Sequence, residues 1–145
     1  MLKPLVAILV AAATAGCAPA RIASQPLPAD IPKAKVVFYR AHAFQYSAVP
    51  VVVGSNRIDM AKVYDKERAT FFLPAGNHSI FVRTTQGDRP NILTVNLTPD
   101  EELCVITKAK PGNYVKMLLP ISSLFTSAFT IETAPCSAAE FASPA

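Results

Sequence analysis

Beyond Lys33 the chain breaks into short runs rich in Val, Ile, Phe and Thr, separated by Pro, Gly, Asn and Asp, and this punctuation constrains the fold more than any other feature. β-Branched and aromatic side chains suit a pleated, half-buried surface. Runs too short for helices, closed by turn residues at regular intervals, specify antiparallel strands packed as a sandwich. The pattern predicts strands over 35–40, 48–53, 58–63, 68–73, 78–84, 92–97, 103–108, 115–119 and 129–133, and a short helical turn over 137–141. Alternation fixes which face is wet: Ile80 and Val82 oppose Ser79 and Arg83, and Leu93, Val95 and Leu97 oppose Thr94 and Asn96. The runs 49–53 and 103–106 are apolar on both faces, as central or covered strands are, although Pro50 argues for a position near an edge. Predicted turns are Gly54-Ser55-Asn56, Pro74-Ala75-Gly76-Asn77, Gln86-Gly87-Asp88 and Lys110-Pro111-Gly112-Asn113. Gly76 is expected at positive φ, and the His78 ring is expected to bond a loop carbonyl.

With 145 residues, 51% of them hydrophobic and 17% charged, there is material for one domain and its core and for no second domain. Collagen-like, coiled-coil and multi-pass membrane classes are excluded by the same composition.

The chain begins with Met1-Leu2-Lys3, continues as an apolar run over 5–13, and then turns to small residues at Thr14-Ala15-Gly16-Cys17. A hydrocarbon core needs about 20 helical residues, so this run reads as the hydrophobic part of a secretory signal. Small residues directly before a cysteine resemble a bacterial lipobox, which makes Cys17 the expected lipidation site. Cleavage at Ala18-Pro19-Ala20 or Ala13-Thr14-Ala15 is the alternative and yields a soluble exported protein. Ala18, in place of an Asp, favours outer-membrane sorting. The expected organisation is a signal peptide over 1–16, a lipidated cysteine and Pro-rich flexible tether over 17–33, a sandwich over 34–136 and a tail over 137–145.

Assigning Cys17 to lipid leaves Cys104 and Cys136 as an even pair, and export favours a disulfide between them; two buried free thiols are the alternative. Without the leader, 13 Lys and Arg stand against 10 Asp and Glu, too little excess to argue for nucleic acid. No serine sits in a nucleophile elbow, and no His, Cys or acid cluster has metal-ligand spacing, so no catalytic residue, metal or cofactor is expected. Asp100, Glu101 and Glu102 read as a solvated, capped turn rather than a calcium loop.

The binding candidates are Phe44 and Tyr46, on a loop beside His42, and Lys110 and Lys116, which with Lys108 make a basic hairpin. For each, a plain connecting loop or a solvated hairpin is the competing reading. The apolar stretch over 117–125 either closes the core or docks another envelope protein.

The segment Lys35-Val36-Val37-Phe38-Tyr39-Arg40, the Gly54-Ser55-Asn56 turn and Phe72-Leu73-Pro74-Ala75-Gly76-Asn77-His78-Ser79-Ile80 together resemble the bacterial envelope family called domain of unknown function 2846. The resemblance covers about residues 34–120. Its most specific piece, a strand, a Pro-Ala-Gly-x-His turn and a strand, is shared with other prealbumin-like and PEGA-type domains. It implies an all-β, prealbumin-like lipoprotein sandwich and carries no catalytic residues. The expected role is a non-enzymatic module of the cell envelope, facing the periplasm from the outer membrane through its lipid and binding an envelope protein; recognition of envelope glycan or lipid is the alternative.

Overall fold

The computed structural model describes residues 26–111 and 127–142. Among these, the strands are β1 (Lys33–Arg40), β2 (Val51–Ser55), β3 (Ile58–Val63), β4 (Arg68–Pro74), β5 (Gly76–Thr84), β6 (Asn91–Leu97), β7 (Glu102–Ala109) and β8 (Phe129–Ala134), with a 3-10 turn at Phe44–Tyr46 and a helical turn at Ala139–Ala142. Two four-stranded sheets pack face to face as an all-β sandwich: sheet A in the order β4-β1-β7-β8 and sheet B in the order β3-β2-β5-β6. Every expected strand has its counterpart except 115–119, which lies outside the described residues, as do Cys17, the leader, most of the tether and the stretch 117–125.

Inward positions follow the period of two. Ala34, Val36 and Phe38 of β1, Phe71 and Leu73 of β4, Val105 of β7 and Phe129 of β8 meet Val51 and Val53 of β2, Ile80 and Val82 of β5 and Leu97 of β6 in one core. The same parity carries Arg40 inward, where it is fully buried. Its guanidinium donates to the carbonyls of Val49 (2.5 Å), Tyr46 (2.5 Å) and Val63 (3.4 Å) and lies 5.0 Å from the Phe129 ring. One side chain therefore gathers the 41–50 loop and the end of β3 onto the end of the sandwich. Burial lowers the Arg40 pKa, against the opposing charges of Asp65 and Glu67.

Three local expectations are corrected. First, β1 and β7 pair in parallel, Lys35 opposite Glu102 through Arg40 opposite Thr107, whereas the other ladders are antiparallel. Second, β2 lies between β3 and β5 rather than near an edge; Pro50 precedes it and so removes no ladder donor. Third, the strand paired with the end of β7 is β8 and not the segment that follows the expected Lys110–Asn113 turn, which lies outside the described residues from position 112 on. Ala109 pairs with Phe129, and the Lys110 N–H donates to the Ala128 carbonyl at 2.8 Å, so a long connection separates the two strands.

The predicted turn chemistry holds at the 74–78 corner: Gly76 has φ +126, and the His78 Nε2–H donates to the Pro74 carbonyl at 2.8 Å. At 98–101 the Glu101 carboxylate accepts the Thr98 N–H (2.7 Å) and hydroxyl (2.9 Å), and these bonds hold its pKa below the usual range.

The Cys104 and Cys136 sulfurs are bonded, with Cα atoms 5.2 Å apart. The bond draws the C-terminal segment over the outer face of sheet A, where Phe141 meets Tyr39 edge to face at 6.0 Å. Val37, Cys104 and Ile106, which point away from the core, are buried there.

Candidate functional site

The outer face of sheet B carries a shallow groove of about 830 Å³, and the alternation of β5 decides its lining. While His78, Ile80 and Val82 point inward, Ser79, Phe81 and Arg83 point out, joined by Asp59 from β3 and Ile92 from β6. Phe81 is nevertheless only 8% exposed. Its ring packs against Gly54, where an added Cβ would come within 2.5 Å of the ring and 2.1 Å of the Ile58 carbonyl oxygen. Gly54 thus sits inside β2, at a register shift, as the seat of an aromatic ring, and the tight turn expected there falls one step later, at Asn56-Arg57.

That turn is a two-residue hairpin loop with both residues left-handed, Asn56 at φ +50 and Arg57 at φ +70. Asn tolerates this backbone and glycine is the usual second residue; an arginine there costs on the order of 1 kcal/mol. The turn is held from below. Asn56 exchanges main-chain and side-chain bonds with Ser79, its N–H to the Ser79 carbonyl and its Oδ1 accepting the Ser79 N–H, both at 3.0 Å. His78, with Nε2–H committed to Pro74, offers Nδ1 as acceptor to the Ser55 hydroxyl (2.9 Å) and the Asn56 amide (3.3 Å). A single neutral tautomer meets all of these, which makes His78 a structural clamp under the turn.

Two cations line the groove, and their situations differ. Arg83 donates to Asp59 at 2.7 Å, with both side chains about a third exposed. Arg57 is exposed and has no hydrogen-bonding or ionic partner among the described residues. Ile92, 57% exposed, and Pro90 complete an apolar margin beside the Phe81 ring.

The residues singled out from sequence lie elsewhere. Phe44 and Tyr46 do not form an exposed pair: the 3-10 turn sends Phe44 outward at 88% exposure and Tyr46 inward at 4%, against Phe129 at 5.3 Å. Burial and the charge of Asp88 raise the Tyr46 pKa. Lys110 donates to the Ser127 hydroxyl at 2.6 Å, and Lys108 pairs with Glu132 at 2.6 Å, so these two lysines are engaged within the chain. Lys116 lies outside the described residues. Phe44 and Lys110 do share one end of the sandwich, the end opposite the start of β1, because the parallel strands β1 and β7 both finish there.

At that same end His42 Nδ1 lies 2.5 Å from Asp65 Oδ2, and Asp65 Oδ1 accepts the Ala43 N–H at 3.0 Å. Burial pushes the Asp65 carboxyl up, but the bonds from His42 and Ala43 and the charges of His42 and Arg40 outweigh it and hold the pKa below the ordinary value. A depressed carboxylate pKa stabilises the fold above the unfolded-state pKa of about 4, and this contribution is lost as pH falls through the folded-state value. Melting temperature should therefore drop between about pH 5 and pH 3 more steeply in the natural chain than in Asp65→Asn. Parallel curves would mean that Asp65 does not couple folding to pH.

The groove is not legible in the sequence because its lining comes from three separate segments, 56–59, 79–83 and 90–92. The available signal was Asn56-Arg57 between two alternating runs, a hairpin turn with arginine where glycine belongs. No family model matches this chain, and no curated protein matches it.

Proposed function

We propose that this chain is an exported, lipid-anchored, non-enzymatic module of the bacterial cell envelope that docks a protein partner on the outer face of sheet B. The observation that carries the docking face is the groove, where an arginine unpaired among the described residues and an exposed isoleucine flank a ring packed against the sheet. Arginine and aromatic side chains supply most of the binding energy at protein interfaces. The bonded Cys104 and Cys136 suit an oxidising compartment and leave Cys17 as the odd cysteine, which supports its assignment to lipid after the leader over 1–16. The rival reading, glycan or lipid recognition through Phe44, Tyr46 and the Lys110 region, loses one of its two rings to the core.

The anchor is tested by membrane fractionation and palmitate labelling of Cys17→Ser, which should lose the label and leave the membrane fraction. Retention through high-salt washing would refute lipid anchoring. The docking face is tested by in-cell photocrosslinking from position 92, with position 108 on the opposite sheet as control. One stoichiometric protein adduct from position 92 alone is expected; equal adducts from both positions would remove the assignment of the partner to sheet B.

A further inference from the structure

We infer that the sheet B groove recognises a carboxylate on an acidic, apolar-flanked peptide segment of its partner, and that Arg57 is the residue that reads it. The inference rests on the docking face proposed above and adds the chemistry of what is docked.

Three features of the groove lead there. The first is charge. Asp59 answers Arg83 at 2.7 Å, while the Arg57 guanidinium has no counter-charge among the described residues, so the groove holds one uncompensated cation. A guanidinium presents a planar fork of donors, and a carboxylate is the side-chain group that fills it with two parallel bonds.

The second is backbone conformation. Arg57 occupies a left-handed position at φ +70 that glycine would take without strain. Among the described residues its side chain makes no bond that repays this, although Asn56 beside it is tied twice to Ser79. A side chain kept in a disfavoured backbone state on a rigidly held turn serves something outside the fold.

The third is the floor. Phe81 is 8% exposed and its ring packs against Gly54, so the groove offers no open aromatic face there. Sugar rings stack on open aromatic faces. An apolar margin of Pro90 and of Ile92 at 57% exposure suits branched aliphatic side chains instead, which favours a peptide over an acidic glycan.

The test uses the full-length chain in detergent and a fluorescein-labelled, end-capped peptide of alternating leucine and glutamate, with binding read by anisotropy and folding by urea midpoint. The glutamate peptide should bind at least tenfold more tightly than the same peptide carrying glutamine. Arg57→Gly should weaken glutamate-peptide binding at least tenfold while raising the urea midpoint. Arg57→Lys should fall between the natural chain and glycine in binding. Because the glycine variant is expected to fold better, lost binding in it cannot be charged to unfolding. Equal affinity for the two peptides, unchanged binding by Arg57→Gly or a lowered midpoint in that variant would each overturn the proposal. So would binding of oligogalacturonate in preference to the peptide, which would assign the groove to an anionic glycan. If the peptides fail while position 92 still crosslinks one protein in cells, carboxylate recognition falls and the docking face stands.

Discussion

Arg40→Ala should destabilise the domain by on the order of 3–5 kcal/mol, measured by chemical denaturation. Three carbonyls, those of Tyr46, Val49 and Val63, accept hydrogen bonds from this one guanidinium; that of Tyr46 also accepts the Val49 N–H at 3.0 Å, and a buried carbonyl left without a donor costs about 1–3 kcal/mol. The stem and planar head also fill the end of the core against Phe129, so alanine leaves a cavity as well. Arg40→Met separates the two contributions. Methionine restores most of the volume and none of the donors, and it should therefore recover less than half of the loss. Full recovery by methionine would mean that the carbonyls find other donors and that packing alone closes this end of the sandwich.

Removing the disulfide should have a comparable effect. The bonded cysteines are 32 residues apart, and freeing a loop of that size costs about 3–4 kcal/mol in the chain-entropy view. For a domain of this size, that corresponds to a fall in melting temperature on the order of 15 °C. The loss in Cys104→Ala/Cys136→Ala should be accompanied by release of the C-terminal segment from sheet A, because the Tyr39–Phe141 ring contact has no covalent support once the bond is gone. Limited proteolysis would then cut near Pro135 in the variant and spare the natural chain. Identical melting curves for the two would show that the segment is held by packing alone.

The fold was legible where the physics is local. Alternation at 79–83 and 93–97 named the inward residues of β5 and β6, and Pro-Ala-Gly-Asn-His gave both the positive φ of Gly76 and the bond from His78. Parallel pairing of β1 with β7 left no trace in either segment, because the identity of a neighbour across a sheet is a property of the whole chain. Arg40 continues the parity of Ala34, Val36 and Phe38, yet its charge disguised it as a strand end at the surface. Tyr46 and Phe44 look alike in sequence, and only the curl of a three-residue turn decides which is buried. For the candidate site, the sequence held the arginine in a glycine position but not the ring resting on Gly54 or the pairing of Arg83 with Asp59. Both arise from strands brought together by the sheet.

The placement of β1 also determines how the domain bears load. Residues 26–32 lead directly into Lys33, and β1 is flanked on both sides, by β4 from Lys33 to Tyr39 and by β7 from Lys35 to Arg40. Inter-strand bonds lie across the strand direction, so a pull along β1 strains both ladders together in shear, whereas the same pull on an edge strand peels bonds one after another. A domain pulled from the N-terminal side of β1 is thus gripped by a strand fastened along both edges, and tension arriving at Lys33 reaches the sandwich without first unzipping it.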